Sequence, residues 1–231
     1  WTGRTFAANC RNTSPEPPMR LAVILVTAFH ATAALSDSYE LSLGGNVIGT
    51  LDATDASISS NVTNSPLGVG NGTFDASSKA VRLADDTVVT QYLSEAPRKN
   101  RTISVLHDAG QVIETVVNPV GDATALSVAN SVPAGVTDPV SGLAHLLRDR
   151  ATCPEPVSFY DGRRVITVSP TDQSAEDATL TCRMAYRVTA GPGHFSPLFI
   201  SNAKMNLRYE GGALTMMTVG AGPFTLTVTP R

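Results

Sequence analysis

The stretch 137–187 constrains the fold of this chain most strongly, because it contains the clearest helix, the clearest hairpin and two of the three cysteines. Asp138 can accept hydrogen bonds from free N–H groups at a helix N-terminus, and Pro139 suits the first helical position. Apolar residues then recur three and four positions apart, which predicts a short helix over about 138–149 with one apolar face. We interpret Gly142 as a close backbone approach of this helix to a sheet.

A hairpin follows the helix in the sequence. Two β-prone runs, 157–160 and 163–168, flank Asp161 and Gly162, a pair that suits positive φ at both centres of a two-residue turn. We therefore predict that these two runs pair as antiparallel strands.

The segment 19–36 has the pattern of a secretory signal peptide. A Met-Arg start leads into an apolar run too short to span a bilayer, and small residues follow it. We expect cleavage before Ala34 or before Asp37; a short amphiphilic anchor is the alternative. No cysteine follows the apolar run closely, so we expect a soluble periplasmic protein without a lipid anchor.

Residues 1–18 are not typical of the start of an exported protein, because they are polar and precede the signal pattern. We interpret them as a non-native or mis-assigned leader, with Met19 as the true start; a genuine polar leader is the alternative. This segment and its Cys10 are excluded from the fold argument. We expect residues 37–231 to form a single β-rich domain.

The two cysteines of the predicted mature chain are Cys153, before the hairpin, and Cys182, in the run after it. A bond between them would close a loop of roughly 30 residues and stabilise the fold by about 3–4 kcal/mol. Reduced core cysteines are the alternative. Export to an oxidising compartment favours the Cys153–Cys182 disulfide.

The rest of the predicted mature chain is typical of β-strands joined by turns and loops. Alternating runs predict hairpins within 38–54 and 101–117, and strands near 205–229. The polar stretch 61–73 predicts a loop, and 118–137 predicts a linker that crosses an edge or the mouth of the sheet. The expected fold is therefore mainly β: a curved antiparallel sheet or half-barrel, with the short helix packed on its concave side.

The predicted mature chain is acidic. The whole chain has 17 Lys and Arg against 20 Asp and Glu, a net charge of −3. Removing the charged residues of the first 36 leaves 14 basic and 19 acidic residues, a net charge of −5; those removed are Arg4, Arg11, Glu16 and Arg20. Nucleic acid is not an expected partner of such a chain. No apolar run after Ser36 is long enough to cross a membrane as a helix.

A set of residues within 138–187 matches the pattern of one known family. The set is Asp138-Pro139, the run 143–148, Cys153, the run Phe159-Tyr160-Asp161-Gly162-Arg163-Arg164, Cys182 and Tyr186. Together they resemble the bacterial exported proteins grouped as domain of unknown function 3108, from which the segments 56–78 and 213–217 depart. The resemblance implies a Gram-negative periplasmic protein with a mainly antiparallel half-barrel, similar in outline to envelope lipoprotein-type folds. It brings no established activity and no catalytic residues.

The candidate ligand-binding residues are Tyr160, Asp161, Arg163 and Arg164, at the tip of the predicted hairpin. Two guanidinium groups and a phenol could bind a carboxylate, a phosphate or a sugar. In the structural interpretation, which we favour, Asp161 and Gly162 make the turn while one arginine pairs with Asp161 or packs over Tyr160. The two interpretations are compatible.

The chain also contains histidine, serine and aspartate, but not at the spacings typical of a metal site or of a catalytic triad. His107, His145 and His194 each lack a second ligand at metal-binding spacing, so we expect no metal and no cofactor. A catalytic triad could in principle be assembled from Ser141, His145 and Asp161. We do not predict one, because the sequence has no nucleophile elbow and no motif for an oxyanion hole. We expect no catalytic residues.

These observations lead to two hypotheses. The first is a non-enzymatic periplasmic protein that binds or carries an apolar or glycan-like component of the cell envelope, a lipid or a glycan. The second is a structural or assembly partner of another envelope protein, with no small ligand. A hydrolase is the least favoured interpretation.

Overall fold

The computed structural model describes residues 36–65, 71–193 and 200–231. Several features of the sequence lie outside these residues: the leader 1–18 with its Cys10, the signal peptide except for Ser36, and His194. No helix within the described ranges is long and apolar enough to cross a membrane.

The described residues form one α-helix, α1 (Pro139–Leu147), and thirteen strands. The strands are β1 (Ser36–Leu43), β2 (Asn46–Thr54), β3 (Ser57–Val62), β4 (Gly72–Arg82), β5 (Val88–Ala96), β6 (Arg101–Asp108), β7 (Gln111–Asn118), β8 (Val157–Tyr160), β9 (Val165–Glu176), β10 (Thr179–Ala190), β11 (Asn202–Glu210), β12 (Ala213–Ala221) and β13 (Phe224–Pro230). The predicted mainly-β fold is therefore confirmed.

All thirteen strands belong to one antiparallel sheet, in the order β7-β6-β5-β4-β3-β2-β1-β13-β12-β11-β10-β9-β8. Almost every strand pairs with its neighbour in the chain. The exception inside the sheet is the pairing of β1 with β13, in which Leu41 lies opposite Val228. The strands β7 and β8 are consecutive in the chain yet lie at opposite edges of the sheet, so the chain must pass from one edge to the other between them.

The hairpins predicted within 38–54 and 101–117 are confirmed as β1–β2 and β6–β7. The two ends of the predicted loop 61–73 are strand, because β3 ends at Val62 and β4 begins at Gly72, and residues 66–70 of this prediction lie outside the described residues. The strand β3 itself was missed: its sequence is rich in serine, and Ile58 is its one fully buried residue.

The helix α1 lies on the concave face of the sheet. It packs against β2, β4 and β8, and the hydroxyl of Tyr209 on β11 donates a hydrogen bond to the carbonyl of Leu146 at 3.3 Å. Since these strands are far apart in the sheet order, the sheet must curve around the helix. The predicted curved sheet with a short helix on its concave side is thus confirmed.

The start of α1 follows the sequence signals, whereas the helix ends at Leu147, two residues before the predicted end at 149. The Asp138 carboxylate accepts the Ser141 N–H at 2.9 Å, and Pro139 is the first helical residue. At Gly142 an added Cβ would lie 2.8 Å from the Phe159 ring on β8. The predicted close approach of helix to sheet at Gly142 is confirmed, and a larger residue there would displace that ring.

One continuous hydrophobic core joins the helix to the concave face. From the helix it contains the fully buried Val140, Leu146 and Leu147. The largest strand residues in it are four tyrosines with at most 1% of their surface exposed: Tyr39, Tyr92, Tyr160 and Tyr209. Burial of this apolar surface is the main force that holds the helix against the sheet.

Residues 119–137, which we name the edge bridge, run from β7 to α1 and contact both edges of the sheet. At the β7 side the Gly135 N–H donates to the Gly110 carbonyl at 2.8 Å. At the β8 side Thr137 forms a parallel bridge with Phe159, and its carbonyl accepts the Tyr160 N–H at 2.9 Å. The prediction that this linker crosses an edge of the sheet is confirmed.

The predicted Cys153–Cys182 disulfide is also confirmed. It joins the segment after α1 to the inward side of β10, across 29 residues of sequence. Because Cys182 is fully buried, the bond attaches the segment that follows α1 to the core side of β10.

We expect the Cys153→Ser/Cys182→Ser variant to lose about 3–4 kcal/mol of unfolding free energy, because the unfolded chain regains the freedom of the open loop. Urea denaturation of the oxidised wild type and the variant measures this difference. An unchanged midpoint, or two free thiols in the unreduced denatured wild type, would contradict the stapling role.

Candidate functional site

The predicted hairpin forms, but its turn differs from the prediction. Four residues, from Asp161 to Arg164, connect β8 to β9 instead of two, and only Gly162 among them has a positive φ, 91°. The reason is that the Asp161 carboxylate accepts the N–H groups of both Arg163 and Arg164 at 2.9 Å. This side-chain capping favours the wider turn.

Position 162 requires a residue without a side chain, because β6 packs directly against it. An added Cβ would lie 2.3 Å from Cγ2 of Ile103 on β6. The turn at the β8 edge therefore contacts β6, the strand next to the opposite edge of the sheet.

The side chain of Tyr160 also joins the two edges. Its hydroxyl donates to the Leu126 carbonyl of the edge bridge at 2.6 Å and lies 3.2 Å from Oγ1 of Thr115 on β7. Burial raises the pKa of Tyr160 to about 12. The phenol is thus a buried structural donor.

The two arginines of the predicted cluster hold neighbouring loops. Nε of Arg163 donates to the Asp122 carbonyl at 2.6 Å, and burial together with the nearby Arg101 and Arg164 lowers the pKa of Arg163. Arg164 is buried; its Nη1 donates to the Gly193 carbonyl at 2.9 Å. Its Nε lies 3.0 Å from the Asp161 carboxylate, as an ion pair without hydrogen-bond alignment.

The structure therefore brings Tyr160, Asp161, Arg163 and Arg164 together and shows the structural role that the sequence favoured. The edge bridge completes this contact, because Oγ of Ser127 donates to the Gly162 carbonyl at 2.8 Å. Ligand binding by the four residues stays a prediction.

The three residues considered for a catalytic triad, Ser141, His145 and Asp161, each contact a different partner. Oγ of Ser141 donates to Asp138 at 2.7 Å, and Nε2 of His145 lies 3.1 Å from the Glu155 carbonyl. Asp161 caps the β8–β9 turn. Within residues 36–65, 71–193 and 200–231, no three His, Cys, Asp or Glu side chains lie close enough to hold a metal ion.

His107 on β6, which the sequence analysis considered only as a metal ligand, is a buried polar group. It is 5% exposed, and neither ring nitrogen has a hydrogen-bond partner among the described residues. Burial lowers the pKa of His107, and the negative charge of Asp138 partly opposes this shift. The alternation Ile103, Val105, His107 could have placed it on the inward face.

A groove of about 920 Å³ lies along β10–β12, apart from these contacts. It is lined by Thr171 of β9, residues 183–187 of β10, residues 202–206 of β11 and residues 220–222. Because Cys182 and Met184 point into the core, the alternate residues of β10 point outward, and Arg183 and Arg187 are exposed.

Small residues on either side of Lys204 form the floor of the groove. Ala185 pairs with Lys204, and Lys204 pairs with Gly220, so these three form one outward row across β10, β11 and β12. An added Cβ on Gly220 would have no neighbour closer than 3.8 Å. The small side chains leave the backbone of the strands accessible, which explains why consecutive residues line the groove. Sequence reasoning missed it, although the period-two alternation of β10 marks Arg183, Ala185 and Arg187 as one face.

Comparisons with known proteins add little. No protein-family model matches the chain, and a search of curated proteins found no match. Among solved structures, LprF from Mycobacterium bovis is similar over 85% of this chain and 84% of its own, with 10% identity and a TM-score of 0.22. At that TM-score the likeness carries no argument about fold or function.

The Gly162→Ala variant tests the contact between the edges. We expect it to lose about 1–3 kcal/mol more unfolding free energy than Gly45→Ala, because the added methyl overlaps Ile103. Gly45 is the matched control: its φ is 85°, and nothing lies within 4 Å of an added Cβ. Equal losses in urea denaturation would show that the turn does not press on β6.

His107 should make stability depend on pH. Its folded-state pKa lies below the usual 6.5, so its full contribution to stability is present above about pH 6.5 and is lost as the pH falls through the lower folded-state pKa. We expect the unfolding free energy to fall there by up to about 1.4 kcal/mol per pH unit. The His107→Gln variant should lack this component between pH 7 and 5.5; identical pH slopes would refute it.

Proposed function

We propose that this chain is an exported binding protein, and not an enzyme, that holds a lipid or glycan component of the cell envelope in the groove along β10–β12. The groove carries the proposal. Its volume of about 920 Å³ suits a small-molecule or oligomeric ligand. Its lining combines small apolar residues such as Ala185 with cations and amides, which suits a ligand that is partly apolar and partly polar.

Export is supported by the signal pattern at 19–36 and by the Cys153–Cys182 disulfide, a bond typical of oxidising compartments. The resemblance of 138–187 to the domain of unknown function 3108 family points to the periplasm of a Gram-negative bacterium.

Binding rather than catalysis is supported by how the reactive side chains are used. Ser141 contacts the helix cap, His145 contacts a backbone carbonyl and Asp161 contacts the turn. The residues that line the groove include no Ser, Cys, His, Asp or Glu, so the described lining lacks the usual pairs of nucleophile and general base.

A second candidate function is assembly with another envelope protein. Four exposed aliphatic side chains lie on β7 and the edge bridge, with between 45% and 81% of their surface accessible: Ile113, Val116, Val120 and Val128. Exposed apolar surface at a sheet edge is typical of protein contacts. Wild-type protein that carries no ligand in the experiment below would favour this function.

Filling the groove tests the proposal. We expect Gly220→Phe to remove bound material, because the ring would cover the floor without changing charge. Gly121→Phe is the control, since Gly121 is outside the groove and has no neighbour within 4 Å of an added Cβ. Native mass spectrometry of the three proteins, purified from the periplasm of a Gram-negative host, measures the bound mass.

The expected result is cargo on the wild type and on Gly121→Phe, and none on Gly220→Phe. Three empty proteins would contradict a carrier role. Equal cargo on all three would place the site outside the groove.

A further inference from the structure

The groove is positively charged on an acidic protein. Its lining includes Arg183, Arg187 and Lys204, and no Asp or Glu is among the lining residues. The whole chain has a net charge of −3, so this concentration of cations is opposite in sign to the protein as a whole. A cationic groove concentrates anionic ligands.

Two of the three cations are available to a ligand. Arg183 forms an ion pair with Asp172 on β9. In the part of the chain that the structure describes, Arg187 and Lys204 have neither an ion-pair nor a hydrogen-bond partner, and both side chains are exposed. Arg187 pairs with Asn202 and is therefore a diagonal neighbour of Lys204, within reach of a long side chain, so one anion could contact both cations.

The cations are arranged along the strands rather than around one point. Lys204 pairs with Ala185, which is midway between Arg183 and Arg187 in β10. With about 3.3 Å per strand residue, successive cations are about 7 Å apart along the strand direction. A row of separated charges suits a chain with repeated anionic groups better than a single compact headgroup.

The uncharged polar residues of the groove suit sugar hydroxyls. The Asn206 amide lies beside Lys204 and donates to Oγ1 of Thr218 at 3.1 Å, which leaves its carbonyl oxygen as an acceptor. Asn202 adds an amide that can donate and accept hydrogen bonds, and the Thr171 hydroxyl, which donates to the Arg183 carbonyl at 3.0 Å, can still accept one.

We infer that the groove binds an extended acidic glycan, whose carboxylate or other anionic groups are bound by Arg187 and Lys204 while its hydroxyls contact the neighbouring amides. This inference rests on the proposed function and names the class of its ligand. Both contacts are charge-assisted, and the guanidinium of Arg187 can bind a carboxylate with two parallel hydrogen bonds.

The test is calorimetric titration of the disulfide-bonded protein with a hexamer of galacturonic acid, and with the methyl ester of the same hexamer, which has no charge. We expect Arg187→Gln/Lys204→Gln to weaken binding of the acidic hexamer about tenfold or more, and esterification to do the same to the wild type. Added salt should also weaken the wild-type complex.

The control variant is Lys79→Gln/Arg231→Gln, which changes the net charge equally. Lys79 is on β4 and Arg231 follows β13; both are exposed and outside the groove. It should bind like the wild type. A second arm compares vesicles of phosphatidylglycerol with vesicles of phosphatidylcholine, and the wild type should not distinguish them.

Equal binding of the acidic hexamer by wild type and Arg187→Gln/Lys204→Gln, or equal binding of acid and ester, would overturn the inference and leave a groove for neutral glycans. Binding of phosphatidylglycerol alone, dependent on the same two cations, would overturn it in favour of a lipid headgroup. A wild type that binds no acidic hexamer also contradicts it; the proposed function then stands only if Gly220→Phe removes cargo in the native mass measurement.

Discussion

The structure depends on how the two edges of its long sheet are joined. Strands β7 and β8 do not pair with each other, yet the sheet must curve around α1 to bury the apolar face of the helix. The edge bridge supplies the connection, since Gly135 bonds to the β6–β7 turn and Thr137 bonds to β8. Tyr160 and Gly162 complete it with contacts to β7 and β6. Backbone groups that would otherwise be left unpaired at a buried edge are thereby satisfied.

This solution decides where a ligand can bind. The aromatic and cationic residues at the β8–β9 turn look like a binding site in the sequence, but Tyr160 and Arg163 use their polar groups to hold the edge bridge. The side chains on the outward face of β10–β12 do not hold the edge bridge. There the small residues Ala185 and Gly220 open a groove, and Arg187 and Lys204 are left free within it. The functional proposal therefore follows from the same architecture that explains the turn.

The sequence predicts most of the fold where the signal is local. The cap at Asp138 and the glycine turn between β1 and β2 can be recognised within a few residues. What was missed depends on contacts far apart in the chain. The strand β9 continues through Pro170 because that part lies at the sheet edge, where proline needs no partner. The carboxylate of Asp138 also accepts a hydrogen bond from Ser78, sixty positions away. The groove exists only once register places Ala185 beside Lys204.

The most direct test of the central claim, that the outward face of β10–β12 is the binding site, is backbone NMR of the labelled protein during titration with the acidic hexamer. The account predicts that amide shifts change at Ala185, Lys204 and Gly220, while those of residues 160–164 stay constant. Shift changes confined to the β8–β9 turn would contradict it and would favour the arginine cluster as the binding site. Changes confined to the exposed edge of β7 would also contradict it and would favour the surface proposed for assembly.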